Sequence, residues 1–181
     1  MQESPGNDGI SYIQFMDRLN LRRSEMFELD IPCFGLVRLE HCISDFTGTL
    51  SVDGKLLPGV KERMNAVAKI LKVHVLTADT FGKARAELEG VNCEVTILTG
   101  ENHDNQKAEF VSKLGAEKVI ALGNGNNDRR MLKSAKIGIA VCLEEGCAKD
   151  ALFASDIVVK SPVDAFDLLL YPKRLKATLR F

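Results

Sequence analysis

Short apolar runs of strand length alternate with helix-patterned segments along most of this chain, and that alternation limits its fold more than any other feature. Val73-His74-Val75-Leu76, Glu94 to Leu98, Val119 to Leu122, Ile137 to Val141 and Ile157 to Val159 read as strands. Between them lie segments of helical period. One starts at Pro58 and sets Val60, Met64, Val67, Ala68 and Leu71 on one face. Others run from Gly82 to Glu89, where Gly90 stops the helix, and from Asn105 to Leu114 with Ala108, Val111 and Leu114 inward. Asp128 to Ala135, a stretch near Ala148, and Ala165 to Leu170 complete the set. Continuous apolar strands alternating with helices specify a parallel sheet buried on both faces. The expected class is therefore α/β, a three-layer Rossmann-like arrangement.

The N-terminal part follows other rules. Phe27, Leu29 and Ile31 alternate with charged residues, and after Pro32 a second alternating run leads through Val37, Leu39 and Ile43 to Asp45. Two such runs around Pro-Cys-Phe-Gly predict a β-hairpin ahead of the sheet. Asp53-Gly54 predicts a second, tighter hairpin. Residues 1 to 9 are polar and read as frayed; residues 10 to 25 allow a short helix on Ile13, Met16 and Leu19. The expected organisation is an N-terminal extension over 1–25, partly disordered and adding little to the core, and one domain over 26–181.

Composition narrows the partners. With 181 residues, 45% hydrophobic and 27% charged, the chain can bury a core without staples. A net charge of −1 argues against nucleic acid. No apolar run approaches a membrane span and no secretory leader opens the chain. The five cysteines are odd in number and form no Cys-x-x-Cys pair, which fits small hydrophobes in a reducing, cytoplasmic protein. The locally basic segment 172–181 reads as a solvated helix end.

Ligands of such sheets bind beyond the carboxyl ends of the strands. Asp45-Phe46-Thr47-Gly48-Thr49 follows one strand and Thr77-Ala78-Asp79 another; Lys107 lies on a helix, and Gly123-Asn124-Gly125-Asn126-Asn127-Asp128 follows a further strand. Phosphoryl transfer uses this set: a carboxylate to attack phosphorus, a hydroxyl and an ammonium on its oxygens, and oxygen ligands for a divalent cation. Each piece also has a plain structural role. Asp45 suits a turn, Thr77 and Asp79 a helix N-cap, Lys107 a solvated face, and Gly123–Asp128 a capping loop. Their joint order carries more than any one of them.

That order resembles the haloacid dehalogenase superfamily, and within it the phosphorylation domain of P-type ATPases. Asp45-Phe46-Thr47-Gly48-Thr49 is similar to the pump signature Asp-Lys-Thr-Gly-Thr, with Phe46 in place of Lys. Leu76-Thr77-Ala78-Asp79 resembles Leu-Thr-Gly-Asp, and Gly123 to Asp128 resembles Gly-Asp-Gly-x-Asn-Asp. Ala154-Ser155-Asp156-Ile157-Val158-Val159 is similar to the pumps' Ala-Ala-Asp-x-Val strand. From residue 26 onward the chain looks like the small family called soluble P-type ATPases. The resemblance implies that Asp45 is the phosphorylated nucleophile, with Asp45, the Thr47 carbonyl, Asn124 and Asp128 as the Mg²⁺ set. It implies that Thr77, Ala78, Lys107 and Gly48 contact the phosphoryl group, and that the Asp53-Gly54 hairpin is the flap.

The chain departs from the pattern in ways that bear on activity. Asp45 and Thr77 are 32 positions apart, and Thr77 and Lys107 are 30 apart, so neither a nucleotide-binding domain nor a cap fits between them. Ion pumping is not expected. Thr47 stands where phosphatases of this superfamily carry an Asp that moves the leaving-group proton, and Asn124 replaces a carboxylate metal ligand. Two functions remain open. One is a slow, capless Mg²⁺-dependent phosphatase acting on a phosphorylated small molecule or macromolecule. The other is a phosphate-binding or regulatory protein of the same fold; a homo-oligomer is compatible with either.

Overall fold

The computed structural model describes residues 27–181, so the readings made for 1–25 and for Met26 lie outside the described residues. A six-stranded sheet forms the centre. Its strands are β3 (His41–Ser44), β6 (Lys72–Thr77), β7 (Glu94–Ile97), β8 (Val119–Gly123), β9 (Ile137–Val141) and β10 (Ile157–Val159), in the order β10-β9-β8-β3-β6-β7. Every neighbouring pair is parallel. From β3 the chain runs outward through β6 and β7, then returns to β8 on the other side of β3. The reversal falls between β3 and β8, and beyond the carboxyl ends of such strands ligands of this kind of sheet bind.

Side chains alternate between the two faces, as the pleat requires. Cys42, Val73 and Val75 join a core with α1 (Val60–Val67), α6 (Pro162–Leu170) and α7 (Pro172–Leu179). Ile43 and Leu76 face a second core containing Val111 of α3 (His103–Leu114), Met131 and Leu132 of α4 (Arg129–Ser134) and Ala151 of α5 (Lys149–Ala154). The short α2 (Ala84–Glu87) adds Ala84 to the first core. The three-layer expectation holds.

Two hairpins flank the sheet. β1 (Phe27–Ile31) pairs antiparallel with β2 (Gly35–Leu39), and both contribute to the first core. The second alternating run is not one strand, however. It breaks at Glu40, whose N–H donates to the Lys118 carbonyl and whose carbonyl accepts from Lys72 N–H, so His41 to Ser44 passes into the parallel sheet. β4 (Ser51–Val52) and β5 (Lys55–Leu56) form the tight hairpin, with Asp53 at φ 52° and Gly54 at φ 72° as its turn. The basic C-terminal segment corrects its own reading. It is a helix, α7, whose Leu175 and Leu179 are buried in the core while its cations face out.

Candidate active site

Asp45 is the first residue past β3, and its N–H donates to the Leu122 carbonyl of β8. Its side chain is buried beside an unusual neighbour. Lys107, on α3, has no exposed surface, although lysine is almost never fully buried unless paired. Its ammonium donates to Asp45 Oδ1 at 2.6 Å and to Asp128 Oδ1 at 2.6 Å. Lys107 and Val111 share the inward face of α3, one turn apart.

Asp128 closes the short 3₁₀ turn after β8. Its Oδ2 accepts from the N–H groups of Asn124 at 3.0 Å and Gly125 at 2.8 Å. Both carboxylate oxygens are thereby engaged, so Asp128 is built to hold Lys107 and the loop. A Cβ on Gly123 would stand 2.5 Å from the Asp128 Cβ, so only glycine lets this carboxylate fold back. Asn124 sits at the mouth. Its Oδ1 accepts from Thr49 Oγ1 at 3.2 Å, its Nδ2 donates to the Gly146 carbonyl at 3.1 Å, and its own carbonyl accepts from Ala148 N–H. Gly48, at φ +74°, passes so close to the Asn124 amide that a Cβ there would collide with it.

Thr49 is the residue that sequence reasoning missed. It is fully buried, and its hydroxyl lies 3.4 Å from Asp45 Oδ2 as well as 3.2 Å from Asn124 Oδ1. The same Asp-Phe-Thr-Gly-Thr run that pointed to Thr47 contained it. Thr47 is half-buried and bridges to Ser51 at the start of the flap hairpin. Phe46, where the pumps have Lys, is buried in the first core.

Thr77 ends β6 at the same edge and is buried. Its Oγ1 accepts the Asp79 N–H at 2.9 Å, which leaves its own proton free to donate. Asp79, at φ 49°, accepts the Lys83 and Ala84 N–H groups. The N-cap position of the short helix is Lys83, so the pair read as an N-cap box is not one; Asp79 instead receives the first N–H groups from upstream. Ala78 lies between them, half-buried.

The electrostatics follow from one ammonium facing two carboxylates. Burial alone would depress the Lys107 ammonium, but Asp45 and Asp128 outweigh it and hold the group protonated. Burial pushes Asp45 up to about 6 against the pull of Lys107, and the Asp128 charge adds to the rise.

Among the described residues, no group of three or more His, Cys, Asp and Glu could hold a metal ion. A hard cation nevertheless has matching donors. Asp45 Oδ2 and Asn124 Oδ1 flank the one Thr49 hydroxyl, and all the candidate ligands are oxygens. Mg²⁺ is usually held by one or two carboxylates, with waters and substrate phosphates completing the shell. The residues present fit such an ion with a single carboxylate charge.

A family model described as haloacid dehalogenase-like hydrolase matches residues 69–151. An uncharacterized protein of Methanocaldococcus jannaschii is 55% identical over 64 residues, covering 35% of this chain and 69% of that one. A probable copper-exporting P-type ATPase of Archaeoglobus fulgidus is 33% identical over 115 residues, covering 62% of this chain but only 14% of the pump. Among solved structures, 3-deoxy-D-manno-octulosonate 8-phosphate phosphatase of Moraxella catarrhalis, crystallised with magnesium and phosphate ions, superposes with a TM-score of 0.62. That match has 15% identity and covers 78% of this chain and 94% of the phosphatase. Fold and sequence agree: the chain belongs to the haloacid dehalogenase superfamily of hydrolases and resembles the phosphorylation domain of P-type ATPases.

Proposed function

We propose that the protein is a Mg²⁺-dependent phosphohydrolase that works through an aspartyl-phosphate at Asp45, with slow turnover. The observation that carries this reading is the buried Lys107 bridge between Asp45 and Asp128. Lys107 fixes Asp45 Oδ1 and turns the carboxylate toward the crevice, and its third N–H is left for a phosphoryl oxygen. The free Thr77 hydroxyl proton serves the same group from β6. Thr49 steadies Asp45 Oδ2. A bound Mg²⁺, held by Asp45, Asn124 and the Thr47 carbonyl, would supply charge neutralisation on the transferring phosphoryl group.

Asp45 attacks phosphorus, the ester oxygen leaves, and water later releases phosphate from the carboxylate. Thr47 cannot carry the leaving-group proton near neutral pH, and this favours a long-lived intermediate. The absence of a cap between the motifs supports a substrate that covers the open site itself. The same two residues, Thr47 and Asn124, also favour the second reading, in which phosphate is bound and sensed with little turnover.

A panel of phosphate esters with and without Mg²⁺, together with beryllofluoride binding, tests the proposal. Mg²⁺-dependent beryllofluoride binding with weak hydrolysis, both abolished in Asp45→Asn, is the expected result. Hydrolysis retained by Asp45→Asn removes the nucleophile assignment. Binding without any hydrolysis selects the sensing reading.

A further inference from the structure

Between β9 and α5 the chain makes a four-residue turn, Leu143-Glu144-Glu145-Gly146, closed by Gly146 N–H donating to the Leu143 carbonyl at 2.9 Å. Leu143 and Gly146 form an antiparallel bridge. The next residues outward are Cys142 and Cys147. Antiparallel partners hold their Cα atoms roughly 4.5–5.5 Å apart, so the Leu143–Gly146 bridge brings the two residues just outside it toward the span of about 4.4–6.8 Å that a disulfide needs. The Cys142 side chain lies near enough to Cys147 to raise its thiol, and the Cys147 Sγ is tied only loosely, to the Ala148 carbonyl at 3.8 Å. Both are free and both are partly open to solvent.

The turn they flank touches the site at two points. Glu145 Oε1 accepts the Asp53 N–H of the flap at 2.7 Å, and the Gly146 carbonyl accepts Asn124 Nδ2 at 3.1 Å. We propose that Cys142 and Cys147 are a redox pair, joined by a reversible disulfide that stiffens the turn holding the flap and Asn124. The thiol pair is independent of the phosphoryl-transfer reading; only the consequence for the site rests on it.

The oxidant is hydrogen peroxide. It converts one thiol to a sulfenic acid and leaves as water; the second thiol attacks that sulfur and expels a second water, forming the S–S bond. Two thiols lose two electrons and two protons, and the peroxide is reduced to two waters. Burial and the neighbouring Cys142 push the Cys147 thiol up to about 11. A thiol reductant reverses the step by exchange. Disulfides that form and reopen in this way are compatible with a reducing compartment.

The test treats the intact protein with hydrogen peroxide, alkylates it, and maps its peptides by mass. The expected product is a Cys142–Cys147 peptide two hydrogens lighter, lost on reduction and absent in Cys142→Ser and Cys147→Ser. Hydrogen exchange at the Asp53 amide should slow several-fold on oxidation of the wild type, and not in Cys147→Ser. If both cysteines stay alkylatable after peroxide, or pair with other cysteines, the site is overturned. If the disulfide forms and the Asp53 amide exchanges as before, the clamp is overturned. The same measurements on Asp45→Asn should give the same disulfide and the same slowing. A failure there sets the redox proposal aside without touching the assignment of the nucleophile.

Discussion

Replacing Asp45 by Asn should stabilise the fold while destroying the site, and the gain should depend on pH in a defined way. The Asp45 carboxyl is raised from 3.8 to about 6, chiefly by burial. Between those values the folded protein holds a proton that the unfolded chain has released, so stability falls as pH rises through the window. At about 1.4 kcal/mol per tenfold change, the ionised carboxylate costs on the order of 3 kcal/mol near pH 7.5 and about 1 kcal/mol near pH 4.5. An amide of the same shape carries no such cost. Its oxygen can still accept from Lys107, and Lys107 keeps Asp128 as its ionic partner. Urea melts of both proteins in chelator-treated buffer check this, since titrating groups away from the Lys107 bridge cancel in the difference. The variant should be more stable near neutral pH, by roughly 2 kcal/mol more than near pH 4.5. A variant less stable than wild type at neutral pH, or a difference flat with pH, would refute the account of a burial-raised nucleophile.

Lys107→Met should cost about 3–5 kcal/mol and abolish beryllofluoride binding, because it strands two buried carboxylates; a melt within 1 kcal/mol of wild type would contradict the bridge described here. Thr47→Asp should raise ester hydrolysis by up to roughly 10²–10⁴-fold by supplying the missing acid and base, read as steady-state rate at fixed Mg²⁺. Asn124→Asp should tighten Mg²⁺ binding by adding a charge, measured by calorimetry. It should also lose about 1 kcal/mol of stability, because a carboxylate cannot donate to the Gly146 carbonyl. Leu175→Ala should destabilise by about 2–5 kcal/mol despite lying in the basic C-terminal helix, and a neutral melt there would mean that α7 does not seal the core.

Much of this molecule was legible because its strands are buried on both sides. Ile137 to Val141 is apolar throughout, and no other environment in a domain of this size accepts that pattern. The residues that defeated sequence reading obey long-range constraints. α7 shows only two buried leucines among its cations, so its local composition looks solvated while its packing is not. Glu40 reads as one more polar position in an alternating run. Only its backbone bonds to Lys118 and Lys72, far along the chain, reveal where a hairpin strand gives way to a sheet strand. Thr49 and Thr47 are the same residue type two positions apart, and the turn geometry that sends one of them under Asn124 has no signature in sequence.

Lys107 states the relation most clearly. On a helix its charge predicts a solvated face, yet it is fully buried, with two carboxylates for one ammonium. A buried ion pair is weak evidence for stability, and an apolar set of similar volume would often serve a core as well or better. An unbalanced one is worse, and here burial raises Asp45 despite the pull of Lys107, with the Asp128 charge adding to the rise. A phosphoryl group arriving with a divalent cation would change the balance, since the cation offsets the surplus carboxylate charge and the third Lys107 proton finds an oxygen. On the proposed function, that local cost in the free protein is what a site awaiting a phosphoryl group and a divalent cation would carry.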